Sequence, residues 1–123
     1  MANPAATVLI VEDEPLVALH LASVVAECGH DVLGPAASMA EAMRLIEAAP
    51  PTFALIDVNL ADGPTGPALA LYLTQTFGTA VAMMTASPEN LEEGRDGVRR
   101  IVRKPYHGTT VSATLAALAQ IGR

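Results

Sequence analysis

Val8-Leu9-Ile10-Val11-Glu12-Asp13-Glu14-Pro15 passes in one step from four consecutive apolar residues to three carboxylates and a proline. A short apolar run closed by polar residues suits a strand covered on both faces, and proline suits the first turn of a helix that follows it. The pattern recurs twice: Phe53-Ala54-Leu55-Ile56 runs into Asp57, and Ile101-Val102-Arg103 runs into Lys104-Pro105. If the three runs are neighbouring parallel strands, their carboxyl ends meet in one crevice, where open α/β sheets bind ligands. That crevice would gather carboxylates and one ammonium. Carboxylates held together repel unless a cation joins them, and an oxygen-only donor set suits a hard ion such as Mg²⁺.

The rest of the chain alternates in the same way. Strand Thr7 to Val11 is followed by a helix from Glu14 or Pro15 to Cys28, ended by Gly29, with Leu16, Leu19 and Val24 on its apolar face. Asp31-Val32-Leu33 reads as a short second strand. Ser38-Met39-Ala40-Glu41 has the spacing of a capping box and opens a helix whose Met39, Ala42, Met43 and Ile46 share a face. Pro50-Pro51 stops it, and Phe53 to Val58 reads as a central strand. After the loop Asp62-Gly63-Pro64-Thr65-Gly66-Pro67, a helix spans Pro67 to Phe77 and a fourth strand runs from Ala80 to Met84, ending at Thr85. Ser87 to Arg100 is interrupted by Gly94 and Gly97 and is expected to hold one short helix. Arg100 to Arg103 is the fifth strand, and Thr109 or Thr110 caps a last helix that turns Val111, Leu115, Leu118 and Ile121 inward. Five alternations predict a doubly wound α/β fold with helices on both faces of a parallel sheet.

At 123 residues the chain fits a single domain, residues 1–123. With two Phe, two Tyr and no Trp, its core must be built from small aliphatics and Met, which suits helices packed on a sheet. A net charge of −6 with seven Lys and Arg argues against nucleic-acid binding, which needs clustered cations. Cys28, the single cysteine, excludes an internal disulfide and is expected as packing filler at a helix end. No apolar stretch approaches the roughly 20 residues of a membrane span, and the first residues lack an export signal, so a cytoplasmic, soluble chain is expected. His20, His30 and His107 have no ligand spacing to one another or to Cys28. Glu14 reads as a solvated helix start favoured by the helix dipole.

The charged strand ends and the alternation together resemble the receiver domain of two-component response regulators. The resemblance covers essentially the whole chain and implies the flavodoxin-like strand order 2-1-3-4-5. It further implies Mg²⁺-dependent transfer of phosphate from the histidine of a kinase or phosphotransfer protein to an aspartate in the place of Asp57. Glu12 and Asp13 resemble the acidic pair after the first strand, with Asp13 as the direct metal ligand. Asn59 resembles the position whose backbone carbonyl completes the metal shell. Thr85 resembles the hydroxyl residue ending the fourth strand, and Lys104 the lysine ending the fifth. Signalling or relay would then run through a downstream protein target, with no catalytic turnover beyond phosphorylation and dephosphorylation of Asp57.

The resemblance has departures. Ile101 stands where many receivers carry the aromatic residue that switches rotamer with the threonine, and Tyr106 matches a different aromatic position that mostly packs. The stretch from Thr85 to Lys104 is a few residues short. Ala61 stands where a proline tends to follow the phosphoacceptor, and the loop to Gly66 is one residue longer. Two rivals remain beside the receiver. A pseudo-receiver would keep the fold as an interaction module without phosphorylation. An aspartyl-phosphate phosphohydrolase similar to the haloacid dehalogenase group would carry its nucleophile in a D-x-D arrangement after the first strand, whereas this strand ends Glu12-Asp13-Glu14.

Overall fold

The computed structural model describes residues 5–93 and 97–121. Strands β1 (Thr7–Val11), β2 (Asp31–Ala36), β3 (Phe53–Asp57), β4 (Ala80–Thr85) and β5 (Val98–Arg103) lie parallel in the order β2-β1-β3-β4-β5. Helices α1 (Pro15–Glu27), α2 (Met39–Ala48), α3 (Gly66–Phe77) and α4 (Gly108–Ile121) cover the sheet. Because successive strand residues point to opposite faces, each buried strand feeds two cores. Leu9, Val11, Ala54 and Ile56 pack with Ile46 of α2 and Leu69 and Leu73 of α3. Val8, Ile10 and Leu55 pack with Leu21 and Val25 of α1 and Leu115 and Leu118 of α4. Leu9, Ile10 and Leu55 are fully buried, and truncating any one to Ala would cost about 2–5 kcal/mol.

The expected doubly wound sheet is therefore present, with local differences. α1 turns Ala18, Leu21 and Val25 toward the sheet, whereas Leu16 and Leu19 are 81% and 68% exposed. Apolar residues circle this helix, so its period offers no preferred phase, and contact with β1, β2 and α4 decides which side is buried. β2 runs on from Leu33 to Ala36, past an irregularity in its pairing with β1. Gly34, at φ +99°, permits this: a side chain there would press on the Ile10 carbonyl. β5 begins at Val98 rather than Arg100.

No α-helix forms over 87–93 among the described residues. The chain instead makes a single 3₁₀ turn, Pro88–Asn90, in a stretch with too few apolar residues to bury a helical face. Residues 94–96, where part of the expected short helix falls, lie outside the described residues. α4 starts at Gly108, before the expected Thr109 or Thr110, with the N–H of Thr110 donating to the His107 carbonyl. Val111, Leu115 and Leu118 are buried as their spacing requires, and the side chain of Ile121 lies outside the description. Cys28 is exposed at the C-terminus of α1 and donates from Sγ to Ser112 Oγ at 3.5 Å, so it does not fill a core. No helix among the described residues is long and apolar enough to cross a membrane.

Candidate functional site

Strand register brings the charged residues together. Val11 pairs with Ile56, so Glu12 and Asp57 leave the sheet side by side. Thr85 pairs with Arg103, so Lys104 emerges next to the end of β4. Glu12 and Asp57 are each only 2% exposed, and Asp13 is exposed at the rim. One carboxylate oxygen from each of the three lies within 4.8 Å of the others. Lys104 Nζ reaches 2.6 Å from Asp57 Oδ2 and 3.1 Å from Glu12 Oε1.

The two buried carboxylates are not equivalent. Glu12 also accepts the Glu14 N–H through Oε2 at 3.0 Å, so both of its oxygens have protein partners. Asp57 Oδ1 is buried with no hydrogen-bond partner among the described residues. Burial raises the Asp57 carboxyl to about 8 from its usual 3.8; the neighbouring Glu12 adds to this and Lys104 works against it. Burial also opposes the charge on Glu12, but its hydrogen bonding with Asp57, the Glu14 N–H and Lys104 outweigh burial and hold it below its usual range. Lys104 is lowered by burial and raised by more than that by Asp57 and Glu12, leaving its ammonium strengthened. Two carboxylates this close titrate as a pair, with Glu12 carrying the charge and Asp57 retaining the proton longer.

Such a donor set fits a hard divalent cation. Asp13 is solvent-facing, Asp57 Oδ1 is an unpartnered buried oxygen, and every candidate donor is oxygen. Glu12 belongs to the same cluster, and Lys104 and the Glu14 N–H also meet its two oxygens. Asn59 is exposed on the loop after β3 and lines, with Thr85, Ser87 and Asn90, a recess of about 280 Å³. Thr85 is almost buried; its Oγ1 accepts the Ser87 N–H at 3.0 Å and its carbonyl accepts the Lys104 N–H at 2.9 Å. Among the described residues the Thr85 hydroxyl donates to no acceptor. The structure brings Glu12, Asp13, Asp57 and Lys104 into one cluster, and Asn59 and Thr85 line a recess at the ends of the adjoining strands.

Two features at the crevice, and the buried surroundings of the Tyr106 hydroxyl, were not legible in the sequence. Gly66, at the start of α3, sits so close to the Asp57 carbonyl oxygen that a side chain would overlap it. Asp62 reaches across to the start of α2 and accepts the N–H groups of Met39 and Ala40 at 3.1 and 3.2 Å. Tyr106 packs its ring against the α1/α4 core and buries its hydroxyl without a partner, and burial plus the charges of Glu12 and Asp57 push the phenol upward. The glycine-rich loop marks Gly66 as a turn residue, but only the fold reveals what it must avoid. On the α1 side, Leu16, Val17, Pro105 and Tyr106 line an open, mostly apolar recess of about 450 Å³ that reaches Lys104.

Residues 8–116 match the response regulator receiver domain family. The chain belongs to that family. It is 37% identical over 117 residues to the phyllosphere-induced regulator PhyR of Methylorubrum extorquens, a match covering 94% of this receiver and 44% of that protein. The solution structure of the Erythrobacter litoralis PhyR receiver domain superposes with a TM-score of 0.85 at 34% identity, covering 94% of this chain and 91% of that one. The crystal structure of the anti-anti-sigma factor PhyR from Bartonella quintana superposes with a TM-score of 0.84 at 31% identity, covering 97% of this chain and 49% of that one. This receiver therefore spans about half the length of the full-length relatives it matches.

Proposed function

We propose that this receiver takes a phosphoryl group onto Asp57 from the histidine of a partner kinase or phosphotransfer protein, with Mg²⁺, and signals through a downstream protein. The observation that carries this reading is the asymmetry of the Asp57 carboxylate: Oδ2 is held at 2.6 Å by Lys104 while the buried Oδ1 has no protein partner. A buried carboxylate left half-satisfied is costly unless a ligand completes it.

Asp13, Asp57 and the Asn59 backbone carbonyl, with the charge of Glu12 beside them, would hold Mg²⁺, and the ion would supply positive charge to neutralise phosphate oxygens. An Asp57 oxygen forms the new bond to phosphorus. The P–N bond breaks, and its electron pair leaves with the imidazole nitrogen, which takes a proton from solvent. Lys104 shifts from the carboxylate to a phosphoryl oxygen through a charge-assisted hydrogen bond, and the Thr85 hydroxyl donates to another. Water later cleaves the aspartyl phosphate and restores the carboxylate, so the chemistry stays on this chain's own Asp57. The partner would cover exposed Leu16 and the apolar recess beside Lys104. A protein target suits a chain of net charge −6, and the Bartonella quintana relative is called an anti-anti-sigma factor. A cytoplasmic setting accords with a kinase partner.

Acetyl phosphate with Mg²⁺ tests the reading, with intact mass as the readout. The wild-type chain is expected to gain one phosphoryl group and Asp57→Asn none. Equal Mg²⁺-dependent labelling of Asp57→Asn would overturn the assignment. A folded chain indifferent to both Mg²⁺ and beryllofluoride would establish the pseudo-receiver instead, and steady turnover of small phosphomonoesters would establish the phosphohydrolase.

A further inference from the structure

The loop after β3 is closed on itself and on α2 by a set of short contacts. Val58 donates to the Met84 carbonyl at 3.2 Å and accepts from the Gly66 N–H at 3.1 Å, which sets the loop's two ends. Leu60 and Gly63 exchange backbone hydrogen bonds of 2.9 and 3.0 Å, and the Leu60 side chain is buried in the core shared with α2 and α3. Ala61 donates to the Ala37 carbonyl at 2.9 Å. Asp62 completes the attachment, with Oδ1 on the Met39 N–H and the Thr65 hydroxyl (3.1 and 2.9 Å) and Oδ2 on the Ala40 N–H at 3.2 Å.

Two acceptors therefore serve the first turn of α2: Ser38 takes the Glu41 N–H at 3.1 Å, and Asp62, from 23 residues away, takes Met39 and Ala40. Among the described residues Glu41 makes no return bond to the Ser38 N–H, and the long-range carboxylate of Asp62 serves the next two N–H groups, of Met39 and Ala40. An anion at the positive end of a helix is favourable, and the backbone bonds to it, Met39 first, hold the Asp62 carboxyl below its usual range. Asn59 lies between the clamped points Val58 and Leu60, and no backbone N–H donates to its carbonyl among the described residues. Ala61 leaves the loop backbone unrestrained by itself, so its shape depends on these attachments.

We propose that Asp62 is a positioning residue for the metal site: by fixing the loop to the start of α2, it holds the Asn59 carbonyl where Mg²⁺ takes it as a ligand. The inference rests on the metal-dependent reading above. Outer partners that orient metal ligands typically change affinity by about 10–100-fold when removed. Ser38→Ala is the matched control, because it weakens the same helix start without touching the loop.

Calorimetric titration of the whole chain with MgCl₂, together with amide exchange of 59–65, tests it. Asp62→Ala is expected to weaken Mg²⁺ by about tenfold and to speed exchange at Leu60 and Ala61. Asp62→Asn, which keeps an acceptor, restores most of the affinity. Ser38→Ala lowers the melting temperature yet binds Mg²⁺ within about twofold of wild type, as a change outside the ligand shell should. Wild-type affinity in Asp62→Ala overturns the inference, as does equal weakening in Ser38→Ala, which would make Asp62 only a helix cap. A wild-type chain that takes no Mg²⁺ removes the metal-dependent reading itself and the inference with it.

Discussion

The loop following β3 and the stretch following β4 leave adjacent strand ends and reach the same crevice, yet they are held in opposite ways. Between Val58 and Gly66 the chain has Leu60 and Gly66 buried, backbone bonds to Ala37 and Met84, and the Asp62 clamp. From Ala86 to Glu93 no described residue is fully buried. The attachments of that stretch include the Ser87 bond to Thr85, the 3₁₀ turn, the packing of Leu91 on the core and the bond from the Ile101 N–H to Glu93. Few buried contacts and exposed backbone bonds mean low local opening energy. On the proposed function, the first segment would hold ligand oxygens still and the second would change arrangement around Thr85 when charge arrives.

Gly66→Ala tests the rigid side and has the largest expected effect. The added methyl meets the Asp57 carbonyl and the Val58 backbone, and should cost about 3 kcal/mol or more by chemical denaturation. Asn90→Ala, exposed in the 3₁₀ turn, should stay within about 0.5 kcal/mol. Equal losses at the two positions would remove the distinction between the segments.

Lys104→Met comes next, because it strips the cation from two buried carboxylates. Loss of about 2 kcal/mol is expected at pH 9, and less at pH 6, where Asp57 relieves the repulsion by taking a proton. A pH-independent loss would show that Lys104 acts through packing alone.

A smaller, graded effect should appear in the metal-free chain. The Asp57 carboxyl is raised to about 8 from 3.8, so between those values the folded state binds a proton that the unfolded state releases. The associated stability is complete below about 3.8, declines as pH rises, and is gone above about 8. Asp57→Asn should flatten that slope in thermal melts. The depressed carboxyl of Glu12 acts with the opposite sign, its contribution fading at the acid end. Mg²⁺ competes with the Asp57 proton, so its affinity should fall as pH is lowered from about 8.

The smallest effect is kinetic. Amides in 86–93 should exchange faster than those in 58–66 and gain protection when Mg²⁺ and beryllofluoride are added together. Protection unchanged by the phosphate mimic would make the second stretch a passive connector.

Much of the fold was legible because buried parallel strands are continuous apolar runs, and β1, β3 and β4 are of that kind. The ends of those runs also named the crevice residues, since a charge closing a buried strand has few places to go. Local periodicity failed where apolar residues surround an element, as in α1, whose Leu16 and Leu19 face solvent while Ala18 and Leu21 face the sheet. Over 87–93 the sequence offered no apolar face, and the one short helix expected in that stretch is a single 3₁₀ turn, Pro88–Asn90.

The order of apolar and charged residues along the chain by itself determined a five-stranded parallel sheet with Glu12, Asp13, Asp57, Thr85 and Lys104 at the carboxyl ends of its strands. Only the tertiary structure decided that Glu12 is occupied by Lys104 and Glu14 while Asp57 keeps an unpartnered oxygen. It also decided that Asp62 caps a helix 23 residues away, and that Gly66 must have no side chain. The reason is physical: burial is a property of short segments and leaves a periodic trace, whereas which oxygen meets which donor depends on how distant segments pack.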